Sequence, residues 1–139
     1  MKRRLLSMVC LGMLVMSAPP LLADNVTGAR DLLCTSVQAT VCDTGGDCEI
    51  GPPWNWDIPQ FIEIDLDDEV LRSTKASGEN RETPIKNMQQ TDGTLFLQGI
   101  QRGRAFSFVI DEGSGMMSAA IAADGLTISV FGACTTTKR

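Results

Sequence analysis

From Thr94 to Phe131 the chain repeats one device: a short alternating run, a tight turn, and another alternating run. Thr94 to Ile100 and Arg104 to Ile110 are joined by Gln101-Arg102-Gly103. In the second run Phe106, Phe108 and Ile110 face one way, and Ala105, Ser107 and Val109 the other. Asp111-Glu112-Gly113-Ser114-Gly115 then leads into Met116 to Ala122. Ala123-Asp124-Gly125 leads into Leu126 to Phe131, where Leu126, Ile128 and Val130 share a face. Side chains of a strand alternate with period two, so each run reads as a half-buried strand. Connections this short join antiparallel neighbours, because parallel strands need a crossover of a dozen residues or more.

The same grammar extends upstream. Val37, Ala39 and Val41 alternate with Gln38 and Thr40, and Ile62, Ile64 and Leu66 with Glu63 and Asp65. Asp67-Asp68 turns the chain into Val70-Leu71-Arg72, residues 73–82 read as a flexible polar loop, and Ile85 to Gln90 is a weaker strand. Thr91-Asp92-Gly93 carries the Asp-Gly hairpin signal. Helical periodicity is confined to Val26–Leu33, which reads as a short helical turn. The strands expected are 35–42, 60–66, 69–74, 84–90, 94–100, 104–110, 116–122 and 126–132. The fold class is therefore all-β: a small antiparallel meander that closes into a barrel of about eight strands. Loop 43–59 is the long irregular connection, and it holds both tryptophans of the chain.

The N-terminus has the layout of a cleavable export signal. Lys2, Arg3 and Arg4 precede an apolar run from Leu5 to Ser17, and Ala18-Pro19-Pro20-Leu21-Leu22-Ala23 follows. The apolar run is shorter than the roughly 20 residues a membrane-spanning helix needs. Cleavage is expected near Ala23, giving a signal peptide over 1–23 and a single β domain over 24–139. Cys10 falls within the discarded segment. Loss of Lys2, Arg3 and Arg4 leaves nine basic residues against 17 acidic ones, a net charge of −8. An acidic domain of this kind disfavours nucleic acid as a partner. No second apolar run approaches membrane length, so no membrane span is expected in the mature chain.

Four cysteines remain in the mature chain: Cys34, Cys42, Cys48 and Cys134. In an exported domain they read as two disulfides, with three possible connectivities. Cys42 and Cys48 flank a turn-forming Asp43-Thr44-Gly45-Gly46-Asp47, which favours Cys42–Cys48. The second pair is then Cys34–Cys134. The first and last strands of a closed meander are neighbours, so this second bond would staple the barrel seam.

The chain has no His and no Tyr. That removes His-based nucleophilic catalysis and His-based metal sites. No catalytic residue, metal ligand or cofactor is assigned. Asp43-Thr44-Gly45 matches the short signature of aspartic proteases, with Val130-Phe131-Gly132 as its apolar companion. The different-class alternative is therefore a dimeric aspartic hydrolase using Asp43. A turn inside a disulfide loop is the plainer account. Asp65, Asp67, Asp68 and Glu69 read as a solvated hairpin tip, since the spacing is wrong for a calcium loop. Glu63 and Asp65 read as the wet face of a strand. Trp54 and Trp56 have the same parity on an extended segment, so they could present two rings on one side, where Trp is favoured at binding hot spots. Capping the barrel mouth is an equally weighted role for them. Arg102 and Arg104 flank Gly103 at a hairpin tip, a local positive spot that could contact a carboxylate, although a solvated turn is the plainer account.

Thr83-Pro84-Ile85-Lys86, Leu97-Gln98-Gly99, Gly103-Arg104-Ala105-Phe106-Ser107, Val109-Ile110-Asp111-Glu112, Gly115-Met116 and Val130-Phe131-Gly132-Ala133-Cys134 resemble a group of short exported bacterial proteins of uncharacterised function. The resemblance covers roughly residues 34–134. It implies an exported, periplasmic or secreted protein and brings no catalytic residue. In size, cysteines and barrel reading the chain is also similar to periplasmic inhibitors of C-type lysozyme. Their inhibitory Ser/Lys loop motif is not found here, and fold alone does not imply function. The expected role is a non-catalytic binding protein, with a lysozyme-inhibitor-like protein as an alternative. Its site would be the mouth formed by loop 43–59 with Trp54, Trp56, Arg102 and Arg104. The partner would be an envelope protein or a small apolar or sugar ligand.

Overall fold

A computed structural model describes residues 24–137. The expected signal peptide therefore lies outside the described residues. Nine strands follow in order: β1 (Asp31–Asp43), β2 (Cys48–Gly51), β3 (Phe61–Asp65), β4 (Val70–Ser73), β5 (Glu82–Thr91), β6 (Thr94–Gln101), β7 (Arg104–Asp111), β8 (Met116–Ala123) and β9 (Leu126–Thr136). Short 3-10 turns occupy Pro53–Trp56 and Lys75–Ser77. All pairings are antiparallel, and β1 closes the ring by pairing with β9. Eight strands form the closed barrel, and β2 lies outside it against the far half of β1.

Alternation builds the wall. Leu32, Ile64, Leu97, Ile110, Ile128 and Val130 are fully buried, and Phe106, Phe108 and Met117 complete the core with them. Asp92-Gly93 and Arg102-Gly103 make the two hairpin turns that require positive φ at both central residues. Both disulfides form as expected. Cys34–Cys134 joins directly opposed residues of β1 and β9 inside the barrel, and Cys42–Cys48 joins β1 to β2.

Two corners bend the wall, and each pairs a bulge with a glycine on the next strand. The β1–β9 register shifts between Ser36 and Gln38, where Ser36 faces Gly132. The β5–β6 register shifts between Ile85 and Asn87, where Ile85 faces Gly99. A Cβ on Gly132 would stand 2.0 Å from the Thr35 carbonyl oxygen, and one on Gly99 2.4 Å from the Phe106 ring. A bulge adds a residue and bends its strand, and a glycine lets the backbones close up there.

Several expectations are corrected. Val26–Leu33 is not a helical turn. Val26–Ala29 makes a single hydrogen-bonded turn, and Asp31 already starts β1. Leu32 and Leu33 pair with β3 on one side and β9 on the other, and that double ladder outweighs local helical preference. Val37 does not share the inward face of Ala39. The bulge turns it outward at 65% exposure, and Ser36 points in. Loop 43–59 contains β2 and a 3-10 turn, and 73–82 contains the other 3-10 turn and the first residue of β5. Asp65 is not on a wet face. It is buried and paired with Arg72 at 3.0 Å.

The barrel ends differ. At the end near residues 31 and 136, Val26 folds under the wall and joins the core, and its N–H donates to the Glu112 carbonyl at 2.7 Å. Buried Glu112 in turn accepts from the Gln90 amide at 2.7 Å. Among the described residues no helix is long and apolar enough to cross a membrane.

Candidate functional site

The opposite end gathers the 43–60 connection, the β4–β5 loop and the β6–β7 hairpin. Pro52 is extended, and Pro53 opens the 3-10 turn, where its missing N–H costs nothing. Asp57 ends the turn in the left-handed region, with φ of 61°, and sends the chain back over the barrel. Ile58 then plugs into the core at 6% exposure. Gly51 leaves room for the Trp56 ring, whose edge would lie 3.0 Å from a Cβ there.

This turn corrects the reading of the tryptophans. They lie on a 3-10 turn rather than an extended segment, so residues two apart do not share a side. Trp56 packs against the core, while Trp54 is 54% exposed. One ring is structural cover and the other is free.

Three arginines hold the cover down. Arg81 donates to the Asp57 carbonyl at 2.9 Å and pairs with the Asp57 carboxylate and with Glu79. Arg102 reaches Asp57 at 3.5 Å. Arg104 donates to the Trp56 carbonyl at 2.9 Å. The four residues expected at the mouth therefore sit at one end of the barrel, and Arg102 and Arg104 are tied to the tryptophan-bearing segment. Asp57, Arg81 and Gln101 were not foreseen. Gln101 was in principle visible, because it continues the inward series Leu95, Leu97 and Gly99.

Beneath the cover lies a cavity of about 80 Å³. Its floor is Ile62, Leu71, Phe106, Phe108 and Ile121, and its edge carries Asp57, Gln101 and Arg104. Phe106 and Phe108 meet edge to face, with centroids 5.7 Å apart.

The other charged groups have structural work. The Asp43 carboxylate accepts from the N–H groups of Gly45 at 2.8 Å and Asp47 at 3.2 Å, which ties the small disulfide loop. Asp43 pairs with Leu126, whereas Phe131 pairs with Gln38 further down β1. The two segments of the protease-like pattern are thus separated along the seam. Asp65, Asp68 and Glu82 surround Arg72, and their hydrogen bonds raise its pKa, Asp65 contributing most. Asp67 does the same for Arg30. Among the described residues no group of three or more acidic or cysteine side chains is placed to hold a metal ion. Comparison with protein-family models, curated proteins and solved structures finds no match to this chain.

Proposed function

We propose that this chain is an exported, periplasmic or secreted, non-catalytic binding protein whose ligand seats in the barrel mouth beneath residues 53–59. The cavity carries this reading, because it combines an apolar floor with a few convergent polar groups at its edge. That is the general composition of ligand sites. At about 80 Å³ it suits a small molecule or one inserted side chain. The barrel interior supports work in water: its inward positions are apolar, whereas membrane barrels have a polar interior. The hydrolase alternative is disfavoured because Asp43 is exposed within the small Cys42–Cys48 loop and does not line the cavity.

Both tryptophans lie in the cover and the chain has no tyrosine, so intrinsic emission reports on the mouth alone. Isobutanol is a suitable small apolar probe. It should shift that emission saturably in the wild type and have no saturable effect on Ile121→Phe, which fills the floor. An equal response in both proteins, or none in the wild type, would reject the mouth as the site.

A further inference from the structure

Arg72, Arg81, Arg102 and Arg104 lie at the mouth, and they are not equivalent. Arg72 is matched by Asp65, Asp68 and Glu82. Arg81 and Arg102 are matched by Asp57 and Glu79. Arg104 has no carboxylate partner among the described residues. Among the described residues its guanidinium makes one hydrogen bond, the donation to the Trp56 carbonyl. A guanidinium carries five N–H donors, so most of its capacity is unspent. Arg104 shares the inward parity of Phe106, Phe108 and Ile110, and it stands one step above the apolar floor. Opposite it in register is Gln101, also half-buried at the cavity edge, whose amide makes no side-chain hydrogen bond among the described residues.

We propose that the mouth binds a short aliphatic carboxylate, with Arg104 and Gln101 holding the carboxylate and the tail filling the cavity over Phe106, Phe108 and Ile121. This rests on the reading of the mouth as a ligand site and adds the ligand's chemistry. The cavity is small, about 80 Å³, which favours a short tail such as that of butyrate over a long one.

The acidity of the chain does not defeat this. Without residues 1–23 the net charge is −8, but repulsion from distant carboxylates is screened beyond roughly 8–10 Å at ordinary salt, and the carboxylate at the cavity edge, Asp57, is matched by Arg81 and Arg102. A half-buried guanidinium at hydrogen-bond distance acts through short, charge-assisted bonds that salt weakens far less. Long-range repulsion would slow arrival more than it weakens the bound state.

The test is a chemical-shift titration of the full mature protein with butyrate, butyramide and octanoate. Butyrate should bind the mouth about tenfold or more tighter than butyramide, the neutral analogue of the same shape. Arg104→Gln should erase that difference. Octanoate should bind no better than butyrate. Equal affinity for butyrate and butyramide at the mouth would overturn the carboxylate assignment and leave the mouth a ligand site. Failure of both to perturb the mouth would overturn the assignment and the reading beneath it together. The wild-type comparison needs no variant, so it stands even if Arg104→Gln folds poorly.

Discussion

Replacing Cys34 and Cys134 together by alanine should cost most of the stability of the barrel. The bond joins residues 100 apart in sequence, across the seam where β1 meets β9. In the chain-entropy model, freeing a loop of that length costs about 4.7 kcal/mol. Both side chains are buried, so losing two sulfurs adds about 1 kcal/mol or more of packing. The sum is comparable to the whole stability of a typical domain, about 5–15 kcal/mol. The Cys42–Cys48 bond is the internal control. Its separation is 6, for which the same relation gives about 2.2 kcal/mol. Moreover, β2 stands outside the closed ring, so part of that cost falls on local opening of one short strand. Urea unfolding followed by backbone circular dichroism measures both. With a slope of roughly 1–3 kcal/mol per molar, the Cys34/Cys134 variant should lose 2 M or more in midpoint or be unfolded without denaturant. The Cys42/Cys48 variant should lose clearly less. Equal losses, or a larger loss for Cys42/Cys48, would refute the argument from loop length and seam.

Three further outcomes are expected. Gly132→Ala should destabilise by about 2–3 kcal/mol in the same urea assay, because the new Cβ meets the Thr35 carbonyl across the seam and backbone must move. Arg102→Asn should raise the thermal midpoint by the equivalent of about 0.5–1 kcal/mol. Arg102 sits at φ of 49°, which asparagine tolerates better, and its 3.5 Å pair with Asp57 is exposed and weak. A lower midpoint would mean that the Asp57 contact outweighs the backbone. Asp111 accepts from the Ser114 hydroxyl at 2.7 Å and its N–H at 2.8 Å, which holds its pKa below the ordinary 3.8, the hydroxyl contributing most. A depressed carboxyl stabilises the fold above the ordinary pKa, and the contribution is lost as pH falls through the lower folded value. An NMR titration should therefore show Asp111 titrating higher in Ser114→Ala, and the stability lost below pH 4 should shrink in that variant.

The parts of this fold that were legible in sequence are those that depend on near neighbours. Phe106, Phe108 and Ile110 point inward because the pleat forces alternation, and the turn before them is the two-residue Arg102-Gly103 pair. Val37 shows where the rule stops. Its alternation with Gln38 is clear in the sequence, but the bulge that turns it outward arises where β1 meets Gly132, nearly a hundred residues away. Leu32 and Leu33 fail for the same reason, since only β3 and β9 together make that stretch a strand. The mouth divides along the same line. The inward parity of Arg104 follows from Phe106 and Phe108, so its place was readable. Its meeting with Trp56, and the clasp of Asp57 by Arg81, exist only because the barrel closes and brings three connections to one end. Parity fails for the tryptophan pair because it assumes an extended chain, and Pro53 starts a tighter turn. A barrel's wall is written locally and its mouth is not. A binding site at the mouth therefore falls where sequence periodicity has least to say, and its chemistry is read from which charge the closure leaves unpaired.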